Sequence, residues 1–181
     1  YELSPERAAH LLGQSAHESG YFKLTEENLN YSEDALNRVF GRYFGEGKED
    51  ASKYARNPQK IANYVYMDEH RSKGGALGNV EENDGWAFRG RGFLQCTGRT
   101  NYRKFASEMR LPDVMKDPDL VATEYAFESA YWFFQRNGLF KIADTGVNDD
   151  VITKITRRVN GGTHGLDDRL EKTKKIYAWL T

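Results

Sequence analysis

The stretch SAHESGYFKLTEENLNYS, residues Ser15 to Ser32, decides how the fold is read, because it begins as a helix and then changes character. Ser4 followed by Pro5 is a typical helix start, so the sequence predicts a helix from there to about Ser19. Gly20 suits the left-handed conformation that ends helices, and the aromatic and branched residues after it favour a short strand or loop. The sequence therefore predicts a chain reversal at Gly20.

Two carboxylates lie on either side of this reversal. Glu18 shares a helix face with Leu11, which predicts partial burial and a raised pKa, as in a proton donor, although a capping or pairing role at the helix end fits equally. If the chain turns back at Gly20, Glu27 can face Glu18, as in glycosidases that use one acid and one base. Glu26 competes as the base, and sequence geometry does not choose between the two.

The rest of the chain has a predominantly helical pattern. Ser32 predicts a second helix start, and short helices are expected from Glu49 to Tyr66. Glycines and asparagines between Arg71 and Gly92 indicate loops that end in DGWAFRGRGF. Four later helices are predicted by apolar spacing: Thr100–Met109, Leu120–Gln135, Asp149–Val159 and Leu166–Leu180. The prediction is a mainly α fold with a small β element, in a single catalytic domain over residues 1–181.

Composition excludes several classes of protein. A formal net charge of −1 argues against a nucleic-acid partner. Cys96 is the only cysteine, so no internal disulfide can form. No apolar run approaches the ~20 residues of a membrane span and no exporting leader is visible, so we expect no stable membrane association. His17 beside Glu18 invites a zinc interpretation, but the second histidine is absent because position 21 is Tyr. We therefore expect no metal and no cofactor.

Several motifs taken together carry a family resemblance: AHESG, ENLNYS, DGWAFRGRGFLQCTGRTNY, VNGG and LDDRLEK. The set resembles the family 19 glycoside hydrolases, in particular the compact phage and prophage endolysins, from about Ala9 to Leu180. The resemblance implies a lysozyme-like α+β fold with two lobes around a substrate groove. It also implies cleavage of β-1,4 links between amino sugars with inversion at the anomeric carbon.

The resemblance assigns roles to individual residues. Glu18 matches the general acid and Glu27 the general base, which favours Glu27 over Glu26, and Thr97 matches a hydroxyl that helps to hold the attacking water. Inversion predicts about 6.5–9.5 Å between the two carboxyl groups. Thr97 could instead cap the next helix, and Arg169 could be a surface charge paired with Asp167 or Glu171. Five matched positions are predicted to contact the substrate or to support the acid: Gln95, Asn101, Tyr31, Asn160 and Arg169.

The expected function is that of a muramidase-type peptidoglycan hydrolase, because a small chain without disulfides favours bacterial walls over chitin. The alternatives are a chitinase, a lytic transglycosylase and a wall-binding module without catalysis. An endolysin is expected to be a monomer that is made in the bacterial cytoplasm and acts in the periplasm. Three departures from the family pattern stand out. Residues 66–79 are longer than usual, Cys96 replaces a common leucine, and the helical segment that usually precedes Leu3 is expected to have been trimmed.

Overall fold

The structure, a computed structural model, describes residues 2–72 and 75–181 and is built mainly from helices. Within these residues there are no strands, and the small β element reduces to three isolated bridges, Glu26 with Arg91, Arg91 with Cys96 and Phe44 with Glu49. The mainly α prediction is confirmed. The α-helices are α1 Pro5–Glu18, α2 Glu33–Val39, α3 Pro58–Tyr66, α4 Asp84–Ala87, α5 Arg99–Met109, α6 Leu120–Thr123, α7 Ala126–Arg136, α8 Leu139–Ala143, α9 Asp149–Asn160 and α10 Leu166–Leu180.

The first helix begins and ends as predicted, whereas the segment after it is a turn and not a strand. The Ser4 hydroxyl accepts a hydrogen bond from the Arg7 amide at 3.3 Å, and Gly20 has the left-handed conformation at φ +56°. Of the short strand or loop expected next, the structure shows a loop, in which Tyr21 and Phe22 are left-handed and not extended, at φ +60° and +64°. The cause is local, since the side chain of Ser19, directly after α1, accepts a hydrogen bond from the Phe22 amide at 2.8 Å.

The chain divides into two compact units. The first unit consists of the residues up to Thr25, Gly92–Leu94 and Val121–Thr181. Its helices α1 and α10 approach closely at Gly13, where a Cβ atom would lie 2.2 Å from the Thr173 hydroxyl oxygen. The helix predicted over Leu120–Gln135 is two helices, α6 and α7. The core of this unit contains Leu11, Ala130, Phe134, Leu139, Phe140, Ala143, Val151 and Ile155.

The second unit consists of Glu26–Arg91 and Gln95–Leu120. Asp68 organises the segment after α3, because its carboxylate accepts hydrogen bonds from the amides of Leu77 and Gly78 at 2.7 and 2.9 Å. The long 66–79 segment noted in the sequence includes residues 73 and 74, which lie outside the described residues. The buried core of this unit contains Leu29, Leu36, Phe44, Ala51, Ile61, Ala62 and Val65.

The single catalytic domain and the substrate groove between two lobes stay predictions. Across the described part of the chain, every helix is too short or too polar to cross a membrane.

His10 makes the stability of the first unit sensitive to pH. Its side chain is fully buried, Nε2 lies 3.0 Å from the Gly146 carbonyl oxygen, and Nδ1 has no hydrogen-bond partner. Burial lowers the pKa of His10 below its ordinary value of 6.5. The unfolded chain therefore binds a proton more readily, and the free energy of unfolding should fall as the pH drops below about 6.5, until the lowered pKa of the folded state is passed.

The free energy of unfolding should fall by about 1.4 kcal/mol for each unit by which folding lowers the pKa of His10. We expect His10→Gln to remove that part of the pH dependence, as measured by urea unfolding between pH 8 and pH 5. His164→Gln is the matched control, because the His164 side chain is exposed. Equal pH slopes in the two variants would contradict the prediction.

Candidate active site

Glu18 ends α1 and is held by a buried arginine of α10. The Arg169 guanidinium contacts the Glu18 carboxylate, donates to the Gln14 side-chain oxygen at 2.6 Å and donates to the His164 carbonyl at 3.1 Å. Arg169 is 1% exposed, whereas the Glu18 side chain is 27% exposed. Gln14 and Glu18 are four residues apart and so share one face of α1. The arginine therefore orients a carboxylate that is partly buried, as predicted, and still reaches solvent.

The residue before Glu18 is also anchored to α10. His17 Nδ1 lies 2.5 Å from an Asp168 carboxylate oxygen, and its ring packs against Gly165, where a Cβ atom would come within 2.1 Å of the ring. Hydrogen bonds from Lys172 and His17 lower the pKa of Asp168. His17 is thus a structural hydrogen-bonding residue. Its contacts with α10 fix the last turn of α1, where Glu18 lies.

Glu27 lies in the second unit and is fixed at both oxygens. Its Oε1 accepts a hydrogen bond from the Gly90 amide at 2.6 Å, and its Oε2 accepts one from the Tyr66 hydroxyl at 2.7 Å. The Glu27 amide donates in turn to the Gly90 carbonyl at 3.0 Å. Glu26 has a different set of partners, because its carboxylate pairs with the Arg89 guanidinium at 2.8 Å. The two neighbouring glutamates therefore have different hydrogen-bond partners, which sequence geometry could not distinguish.

The surroundings of Glu27 affect its protonation in opposing ways. Burial raises the pKa of the Glu27 carboxyl above its ordinary value of 4.5, while the hydrogen bonds from Tyr66 and Gly90 and the charges of Arg89 and Arg91 partly offset this rise. Burial and the adjacent carboxylate also raise the pKa of Tyr66, which keeps its hydroxyl a donor. A carboxylate with a raised pKa is a stronger base towards water.

Gly90 lies against three side-chain oxygen atoms, so that a side chain at this position would not fit. A Cβ atom at Gly90 would lie 2.3 Å from the Gln95 side-chain oxygen and 3.2 Å from both Glu27 Oε1 and Thr97 Oγ1. Gln95 is exposed and has the left-handed conformation at φ +54°, which is unusual outside glycine. The Thr97 hydroxyl donates to the Gln95 carbonyl at 3.0 Å, so its lone pairs stay available as acceptors. The structure thus brings together three of the residues predicted from the sequence.

Three residues that support Glu27 were not predicted: Tyr66, Arg89 and Arg91. Arg91 is 1% exposed and donates to the Ala87 carbonyl at 2.7 Å, and the Arg89 guanidinium stacks 3.7 Å from the Trp86 ring centre. The one available signal was the alternation RGR, which places an arginine on each side of Gly90.

The remaining predicted substrate residues make internal contacts. Asn101 donates to the Thr97 carbonyl at 2.8 Å, and the Tyr31 ring packs edge-on against Phe40 with 5.3 Å between ring centres. The Asn160 amide donates to the His164 carbonyl at 3.0 Å, the same oxygen that Arg169 contacts. Asn160 therefore supports the loop that helps to hold Arg169. Contact of these three residues with a substrate stays a prediction.

Two solved structures share the fold of this chain. The structure resembles that of chitinase C from Streptomyces griseus HUT6037, with a TM-score of 0.56 and 18% identity, over 97% of this chain and 72% of that one. A mutant of chitinase C gives a TM-score of 0.57 and 16% identity, over 97% of this chain and 60% of the other. No protein-family profile matches the chain. These two likenesses show the fold, which is mainly helical.

A sequence relative gives the family. A glycosyl hydrolase family 19 domain-containing protein of Haemophilus influenzae is 36% identical over 167 residues, which are 89% of this chain and 74% of the relative. The chain belongs to glycosyl hydrolase family 19. The resemblance drawn from the motifs is thereby confirmed at the level of the family.

Proposed function

We propose that the protein is a peptidoglycan hydrolase of the endolysin type, which cleaves the β-1,4 bond between N-acetylmuramic acid and N-acetylglucosamine with inversion. Family membership supports the bond type, and the motif resemblance to phage endolysins together with the absence of disulfides supports the wall polymer. We also propose that the protein is a monomer, that it is made in the host cytoplasm and that it acts on the wall in the periplasm.

The observation that carries the proposal is the arrangement around Gly90. A water molecule next to Glu27 Oε1 and Thr97 Oγ1 would meet one strong acceptor and one hydroxyl that can also accept, and both oxygen atoms lie 3.2 Å from the position of a Cβ atom at Gly90. In the proposed mechanism Glu27 takes a proton from this water as it attacks the anomeric carbon. Glu18, oriented by Arg169, gives its proton to the departing glycosidic oxygen. These steps require neither a metal nor an organic cofactor.

The products released from purified sacculi test the proposed reaction. Hydrolysis predicts soluble muropeptides whose masses include one added water, as measured by mass spectrometry. Anhydro products would assign the chain to the lytic transglycosylases. Binding to sacculi without release of soluble sugar would assign it to the wall-binding modules. Either result would overturn the proposal.

A chitinase is the second candidate, because the structure resembles chitinase C. Two assays at equal enzyme concentration distinguish the candidate substrates. One follows the turbidity loss of cells stripped of their outer membrane, and the other follows sugar release from chitin. We expect faster cleavage of the wall. Faster cleavage of chitin would reject the proposed substrate and leave the roles of the two glutamates untouched.

Tyr66 should influence, through its hydrogen bond to Glu27, the pH at which kcat/KM falls on the acid side. Activity requires ionised Glu27, so kcat/KM should fall as the pH drops through the raised pKa of this carboxyl, above 4.5. Tyr66→Phe removes a hydrogen bond that favours the carboxylate and should move this limb to higher pH by about one unit. Tyr64→Phe is the matched control from the same helix. An acid limb that stays in place in Tyr66→Phe would contradict this role.

Gly90→Ala should reduce activity by roughly 10²-fold, because displacement of reacting groups by about 1 Å can cost that much. The added methyl group would collide with the Gln95 side-chain oxygen and crowd Glu27 and Thr97, whose side-chain oxygen atoms it would approach to 3.2 Å. Gly75→Ala is the control, since the nearest atom there is 3.4 Å away. Steady-state rates measure the effect, and thermal unfolding checks that the variant is folded. A folded Gly90→Ala variant with full activity would remove the water site from the mechanism.

A further inference from the structure

Exposed apolar side chains of the described residues are concentrated in the first unit. Trp179 is 73% exposed, Tyr21 64% and Leu24 61%, and Phe22 and Leu180 are also exposed. The two other large apolar residues exposed in the described part of the chain, Val39 and Val80, both belong to the second unit. Clusters of this kind on a soluble domain commonly mark an interaction surface.

Four of the five clustered residues line one groove, here named the α1–α10 groove. Its volume is about 350 Å³, which is within the range of ~300–1,000 Å³ that is common for ligand sites. Almost all of its surface belongs to apolar atoms. The apolar residues that line it are Leu12, Ala16, Tyr21, Phe22, Ile176, Trp179 and Leu180.

Two of these aromatic residues have an unusual backbone conformation. Tyr21 and Phe22 are consecutive residues in the left-handed region, at φ +60° and +64°, where side chains other than glycine are disfavoured. Such conformations persist where the surroundings enforce them and often occur at functional sites. The hydrogen bond from the Phe22 amide to the Ser19 hydroxyl supplies the constraint.

One lysine lies beside each of two exposed aromatic rings. Lys172 Nζ lies 4.3 Å from the centre of the Tyr21 ring, and Lys175 Nζ lies 5.4 Å from the centre of the Trp179 ring. Lys23 is exposed in the same turn as Tyr21, and Glu171 is the one acidic residue in the groove lining. Lys172 is buried and its ammonium group contacts the Asp168 carboxylate, so this lysine adds no free charge. The exposed Lys175 and Lys23 outnumber Glu171, and this excess of positive charge at the edge of the groove complements an anionic ligand.

We propose that the α1–α10 groove docks reversibly onto an anionic lipid bilayer. Aromatic rings with lysines beside them are characteristic of segments that lie at the level of the lipid headgroups. An extended peptide fits less well, because its amides and carbonyls would find few partners on apolar walls, whereas acyl chains need none. The contact is weak and sensitive to salt, in keeping with the expectation of no stable membrane association.

Vesicle sedimentation tests this proposal. Vesicles of phosphatidylethanolamine and phosphatidylglycerol should bind the protein at low salt, release it at high salt and shift its tryptophan emission to shorter wavelength. Pure phosphatidylcholine vesicles should bind several-fold less. Trp179→Ser and Lys175→Glu should each weaken binding several-fold, and Trp179→Ser should also lose the emission shift.

Matched controls locate the contact. Val80→Ser and Lys104→Glu change an exposed apolar residue and an exposed lysine of the second unit, and both should bind like the unmodified protein. Absence of vesicle binding, equal binding to neutral vesicles or equal weakening by the control variants would overturn the proposal. A dimer in sedimentation velocity that Trp179→Ser dissociates, without vesicle binding, would instead assign the groove to a second copy of the chain. Cleavage of soluble oligosaccharides should be the same in all four variants, so this inference can fail without affecting the proposed function.

Discussion

Glu27→Gln should lower kcat on the natural polymer by roughly 10²–10⁴-fold, the usual contribution of a general acid or base. The amide cannot accept the proton of the attacking water, although it has nearly the same shape as the carboxylate. Because burial raises the pKa of Glu27, the ionised form makes an unfavourable contribution to folding at neutral pH. We therefore expect the free energy of unfolding of the variant to stay the same or to rise. Steady-state kinetics and urea unfolding measure the two effects.

Glu26→Gln is the control for this prediction, because it removes the same charge from the adjacent residue. Because Glu26 pairs with Arg89, the free energy of unfolding of Glu26→Gln should be measured together with its catalytic rate. It should keep most of the activity. A larger loss of activity in Glu26→Gln than in Glu27→Gln would show that Glu26, and not Glu27, acts as the general base.

Glu18→Gln should cause a loss of similar size on the natural polymer, roughly 10²–10⁴-fold, because the glycosidic oxygen would leave without a proton. The loss should be much smaller on a nitrophenyl glycoside, since nitrophenolate leaves readily without protonation. The ratio of kcat values on the two substrates is the measurement. Glu27→Gln should impair both substrates, which separates a missing acid from a missing base.

Glu6→Gln is the control for Glu18→Gln, because it removes a carboxylate from the first turn of the same helix. It should leave the rates on both substrates close to those of the unmodified protein. An equal loss on the polymer and on the nitrophenyl glycoside in Glu18→Gln would show that Glu18 does not act as the proton donor.

The features that could be predicted from the sequence are those that depend on local interactions. Ser4 and Pro5 start α1, Ser32 caps α2 through the Ala35 amide, and Gly20 takes the left-handed conformation after α1. The motifs also identified the residues that meet at Gly90. The left-handed Tyr21 and Phe22 were missed, because a hydrogen bond to the Ser19 side chain outweighs their preference for extended structure.

Contacts between distant residues could not be predicted. Tyr66 and Glu27 are 39 positions apart, and Arg169 and Glu18 are 151 positions apart. No local pattern records which side chains meet at such separations. For the same reason the choice between Glu26 and Glu27 depended on the family resemblance, whereas the structure distinguishes the two by their different partners.

The configuration of the first product tests most directly whether Glu27 activates water for attack with inversion. Proton NMR can follow the new reducing ends during the first minutes of cleavage, before mutarotation mixes the anomers, with whichever polymer the enzyme cleaves faster. Inversion of a β-1,4 bond predicts that the α-anomer is formed first. Initial formation of the β-anomer would contradict the proposed role of Glu27.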